Sequence, residues 1–185
     1  METTTLETAT TTQWLLDAAH SQIQFKVKHL MISTVTGTFK NFEGSIESEG
    51  NDFTKAKISF SAEASSINTG SEQRDTHLKS ADFFDAEKYP VILFNSTSAT
   101  KLDDENFELH GDFTLHGVTK NIKLTVEYSG TAKDPWGNTK AGFFVYGKIN
   151  RKDFDLGWNA ALEAGGVLVS EEVKIECEIQ LAKKV

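Results

Sequence analysis

The chain has 185 residues, 38% hydrophobic and 25% charged, the balance of one soluble globular domain with a single core. Nineteen Lys and Arg against 27 Asp and Glu leave a net charge of -8, which works against phosphate backbones and anionic lipid headgroups as main partners, nucleic acid above all. One cysteine, Cys177, excludes an intramolecular disulfide, whereas 13 phenylalanines point to an unusually aromatic interior.

The first 13 residues, METTTLETATTTQ, carry neither a basic residue nor an apolar run, so they read as neither a secretion signal nor a membrane span. They are expected to be a disordered tail, with residues 14–185 as the folded domain. A start at Met1 places the protein in the cytoplasm; a trimmed leader would place it in the periplasm.

From Trp14 onward apolar and polar residues alternate with period 2, the signature of half-buried strands. Ile23, Phe25, Val27 and His29 share one face of a strand, and Ile58, Phe60, Ala62 and Ala64 share a face of another. Less regular strands are predicted over residues 35–39, 42–46 and 91–97. Regular alternation returns over 107–115, 122–128, 141–149 and 173–181, and Cys177 falls on the apolar face of the last run. Turn residues link these runs at 49–52, 103–106, 116–117 and 134–138, so neighbouring strands should be antiparallel.

Residues 70–90 break the pattern. Ser71 is placed to cap a short helix through Arg74, His77 and Leu78, followed by an irregular segment, and this helix and loop should cover one side of the sheet. Such a cover would explain Val91-Ile92-Leu93-Phe94, the one strand start without polar alternation. About eight strands result. Periodicity leaves open whether they form a sandwich or a closed barrel, and whether the interior is filled or hollow.

Several polar residues have a structural and a functional reading. Arg74 beside Asp75 suits either an ion pair anchoring the cover helix or an anion site at a pocket mouth; Arg151 with Asp153 invites the same pair of readings, with a turn that ties down the barrel end favoured. His20, His29, His77, His110 and His116 lack metal-ligand spacing, and Gly165-Gly166 lacks the context of a nucleotide loop. No catalytic residue, metal or cofactor is assigned. Phe144 and Tyr146 have the opposite parity to Phe143 and Val145, so an exposed aromatic pair is expected there as an interface.

The opening Trp14-x-x-Asp17-x-x-His20-Ser21-x-Ile23-x-Phe25-x-Val27-x-His29-Leu30 and the block Gly37-x-Phe39-x-x-Phe42-x-Gly44 resemble the YceI-like family. So do Arg74-Asp75-x-His77-Leu78, Asp82-Phe83-Phe84, Tyr89-Pro90-x-Ile92-x-Phe94 and Gly111-x-Phe113-Thr114-Leu115-His116-Gly117. Ile149-Asn150-Arg151-x-Asp153-Phe154 and Gly157-Trp158-Asn159 continue the resemblance, which runs from Trp14 to Leu181; Asn68 departs from an expected Thr.

The resemblance implies an all-β, eight-stranded antiparallel lipocalin-like barrel that binds an isoprenoid lipid, such as a polyprenyl phosphate or a quinone tail, often as a homodimer. It favours a hollow barrel lined by Phe25, Val27, Phe39, Phe60, Phe94, Phe113, Val126, Phe143, Val145 and Trp158, with Arg74 at the mouth. Other long-chain lipids remain open as partners, and no stable membrane insertion is expected. Two rival readings are a filled-core interaction protein and a lipid-acting enzyme built on Arg74, Asp75 and His77.

Overall fold

The structure is a computed structural model describing residues 10–185. Its strands are β1 (Thr11–Leu16), β2 (Gln22–His29), β3 (Ser33–Phe39), β4 (Phe42–Glu49), β5 (Asp52–Glu63), β6 (Ile67–Asn68), β7 (Val91–Lys101), β8 (Asn106–Leu115), β9 (Val118–Lys133), β10 (Thr139–Asn150) and β11 (Val169–Lys183), with one helix, α1 (Glu72–Lys79). All pairings are antiparallel, in the order β1-β4-β5-β7-β8-β9-β10-β11, and β11 pairs back with β1. That last pairing closes the sheet into a barrel and leaves it no long open edge.

Six of the segments fuse into three staves, which makes the count eight. β1 and β2 lie end to end along β11, β3 and β4 run end to end against them, and β6 prolongs β5 to meet β3. Thr11, Thr12 and Gln13, expected in the tail, pair with Glu49, Ser48 and Glu47 and belong to the barrel. Residues 1–9 lie outside the described residues.

The junction of β1 and β2 is pinned by Asp17. Its carboxylate accepts from Lys140 Nζ at 3.0 Å, His20 Nδ1 at 3.1 Å and Gln180 Nε2 at 3.2 Å. Burial by itself raises the carboxyl's pKa, but the hydrogen bonds from Lys140, His20 and Gln180, with the charge of Lys140, outweigh it and hold the value at about 2. A carboxylate depressed in the folded state stabilises fully above its unfolded pKa, and that contribution fades as pH falls toward 2. Asp17→Asn should therefore lower stability by about 2 kcal/mol at neutral pH and flatten the acid limb between about pH 4 and 2. Denaturant melts of both proteins across that window check this; parallel acid limbs would contradict it.

Inside the barrel, aromatic rings lie across glycines on neighbouring strands. A Cβ on Gly37 would stand 2.3 Å from the Phe25 ring, its cross-strand partner, and one on Gly111 would stand 2.3 Å from the Phe94 ring. These glycines let two large rings lie flat against the wall rather than fill the axis.

The ends are closed differently. One end packs Trp14, Ile46, Phe53, Tyr128 and Phe143 together; the fully buried Trp14 donates from Nε1 to Ser48 Oγ at 2.9 Å. The other end is capped by α1, the segment after it and the loop between β10 and β11. Ser71 Oγ accepts from the Arg74 amide, so the helix starts where the sequence places it.

The position of the cover differs from the expectation. It sits over the barrel end, where Leu78, Phe84 and Ala86 join Ile92, Phe39 and Leu115, and it does not cover the outer face of β7. Val91 and Leu93 face outward, 45% and 37% exposed. The apolar start of β7 therefore does not mark a strand buried on both faces.

Candidate ligand-binding site

The barrel encloses a cavity of about 290 Å³ whose surface is almost wholly apolar. It runs from Phe53, Phe143 and Leu16 at one end to Leu78, Phe84 and Leu156 at the other. The alternation explains most of the lining, because inward residues along a regular run of strand share one parity. A register shift at Ser96/Ser98 in β7 turns Ala99 inward where strict alternation would turn it out.

Phe25, Val27, Phe39, Phe60, Phe94, Phe113, Val126, Phe143 and Val145 all line this space. Several of them, Phe25, Val27, Val126 and Val145 among them, are only partly buried although they point inward, because they face the void rather than one another. An empty apolar void costs about 24 cal/mol per Å³, so this one carries roughly 7 kcal/mol of unrealised packing. That is comparable to the whole net stability of a domain, about 5–15 kcal/mol.

Trp158 and Arg74 do not line the cavity. Trp158 sits in the capping loop, its ring 4.8 Å from His77 and 5.0 Å from Phe83. Arg74 donates from Nε to Thr69 Oγ1 at 2.7 Å and from Nη2 to Thr69 O at 2.9 Å, while Asp75 accepts from the Thr69 amide at 2.9 Å. Both therefore bind one threonine and lock α1 to β6; they form no ion pair with each other. His77 turns to Asp82, 2.8 Å from Nε2, so Arg74, Asp75 and His77 do not converge on a common point. Among the described residues no three His, Cys, Asp or Glu side chains are grouped to hold a metal.

Arg151 is the charged residue in the lining; the sequence reads it as part of a turn that ties down the barrel end and does not place it in the cavity wall. It is buried, and its guanidinium donates to four backbone carbonyls: Leu156 at 2.5 Å, Trp158 at 2.8 Å, Ser170 at 2.9 Å and Val169 at 3.4 Å. Burial pulls its pKa down and the nearby Glu171 partly offsets this, but a guanidinium stays protonated. Parity was the missed signal, since Arg151 continues the inward series of Phe143, Val145 and Ile149. Leu109, Ile122, Leu124 and Ile175, also in the lining, were legible by the same rule but not singled out.

Cys177 lines the cavity too, and burial pushes its thiol up to about 11, so it serves as apolar wall rather than as a nucleophile.

The described geometry, an eight-stave closed barrel around a long apolar hollow, meets a matching comparison: the YceI-like domain model covers residues 14–181. The chain belongs to the YceI-like family. A UPF0312 protein of Staphylococcus aureus is 40% identical over 92% of this chain and 98% of its own length. The Campylobacter jejuni YceI protein is 33% identical, superimposes with a TM-score of 0.74 and covers 100% of both chains. A polyisoprenoid-binding domain from Saccharophagus degradans shares the fold of this YceI-like chain at a TM-score of 0.67 and 17% identity, covering 92% of this chain and 98% of its own.

Proposed function

We propose that this YceI-like barrel binds the apolar tail of an isoprenoid lipid, a polyprenyl phosphate or a quinone-type molecule, and stores or carries it without chemical change. The observation that carries this reading is the cavity: long, almost wholly apolar, and costly to leave empty. About ten buried carbons would gain roughly 8 kcal/mol, the scale of a micromolar complex before ordering costs. The cavity wall is almost wholly apolar, so the headgroup stays at the rim, and the tail supplies most of the affinity. The polyisoprenoid-binding relative from Saccharophagus degradans supports the same ligand class.

Pairing of two copies would use the outward face of β10, where the Phe144 and Tyr146 rings lie 5.5 Å apart. The hollow interior weighs against a filled-core interaction protein. The separate engagements of Arg74, Asp75 and His77 weigh against a lipid-acting enzyme.

Delipidated and refolded protein titrated calorimetrically with farnesol, and separately with a short-chain quinone, tests the reading. Saturable uptake near one ligand per chain is expected; no heat and no thermal stabilisation with either ligand would overturn it.

A further inference from the structure

The capped end of the barrel is uneven. One side carries α1 and residues 80–90, with charged side chains of both signs. On the other side two hairpin tips project together. The first is Leu30, Met31 and Ile32 between β2 and β3. The second is the turn around Gly165 and Gly166, where Ala161 bridges Val167. The Leu30 amide donates to Leu168 O at 2.8 Å, which joins them into one surface.

Leu30, Met31 and Ile32 are 37%, 61% and 82% exposed. Leu30 and Met31 hold φ of 53° and 58°, the left-handed region that bulky side chains adopt at a cost. Residues 30–39 contain no charged side chain, and residues 156–170 contain only Glu163. A strained turn that holds three large apolar side chains in water fits a contact surface better than a solvated loop.

We infer that these tips dock the barrel onto a neutral phospholipid bilayer, the source or destination of the tail; this rests on the lipid-binding reading above. Leu30, Met31 and Ile32 present their apolar side chains on a tip free of charge, which suits entry into a soft acyl layer. Lys28, exposed at the base of the first tip and in no ion pair among the described residues, stands at headgroup height, where a lysine is favoured. The turns at the opposite end carry Asp103, Asp104, Glu105 and Asp134, so docking by the tips holds those acids away from the membrane. Val27 and Val169, just behind the tips, line the cavity, so the tips stand beside the end at which a tail would enter.

Flotation of the full chain with phosphatidylcholine vesicles tests this. The wild-type protein is expected to float with the vesicles. The double variant Met31→Asp, Ile32→Asp should associate about a hundredfold more weakly, the loss of two inserted apolar side chains. Trp136→Ala, which removes a side chain 84% exposed at the opposite end, should float as the wild type does. Farnesol uptake in solution, measured in parallel, should be unchanged in all three and reports on the cavity independently of docking. Failure of the wild type to float, or equal loss in the Trp136 variant, would overturn the docking surface. So would a double variant that converts a vesicle-free dimer to monomer in velocity sedimentation, because the tips would then be a contact between copies.

Discussion

Val145→Trp is expected to abolish ligand uptake while leaving the barrel folded. Val145 points inward from β10 at mid-height, where it packs against the Phe94, Leu109 and Leu124 cluster and faces the cavity. An indole there occupies the space that the tail needs. Overpacking a filled core costs about 1–3 kcal/mol, but here the added ring enters a void and replaces missing contacts. Thermal stability of the ligand-free protein should therefore stay level or rise, while farnesol affinity falls by more than about a hundredfold. Tyr146→Ala, one residue along and facing outward, should leave affinity unchanged. A Trp variant that binds normally would show that the ligand lies elsewhere.

The largest loss of stability is expected from Arg151→Met. The replacement keeps the stem but strips the Leu156, Trp158, Val169 and Ser170 carbonyls of their shared donor. Leaving a buried acceptor without its donor costs about 1–3 kcal/mol, so stranding these carbonyls should cost at least about 3 kcal/mol, which in a chain of this size lowers Tm by roughly 10 °C. Arg151→Lys should fall between, because an ammonium cannot span four carbonyls. The loop between β10 and β11 caps the cavity, so both variants should also release ligand faster, in the same order. Calorimetric melts and stopped-flow displacement check the two effects, and an Arg151→Met protein as stable as the wild type would contradict the anchoring role.

Most of the barrel was legible because one face of each stave is inside and the other in water, and period 2 records that directly. That rule puts Phe25, Phe60, Phe113 and Val145 on the apolar faces of their strands; that those faces enclose a hollow rests on the family resemblance. The rule failed where the backbone stops alternating. β1 was lost because Thr11 and Gln13 look like tail, although Trp14 follows them. The turn at Leu30–Met31–Ile32 carries none of the glycine, proline or asparagine that marks the other turns, so nothing local announced it. The apolar start of β7 was misread as a doubly covered strand, because outward Val91 and Leu93 carry no label for solvent. Trp158 is assigned to the ligand with the family resemblance and Arg74 on guanidinium chemistry, and their partners, His77, Phe83 and Thr69, come from segments whose meeting no periodicity records.

The central claim is that the hollow holds a prenyl chain, and its most direct test is mass spectrometry of an organic extract from the purified, undenatured protein. An extract of a similarly prepared Val145→Trp protein is the control. A polyprenyl or quinone species near one per chain in the wild type, and missing from the variant, is the expected result. A wild-type extract that matches the variant's, from protein that also fails to take up added farnesol, would contradict the account.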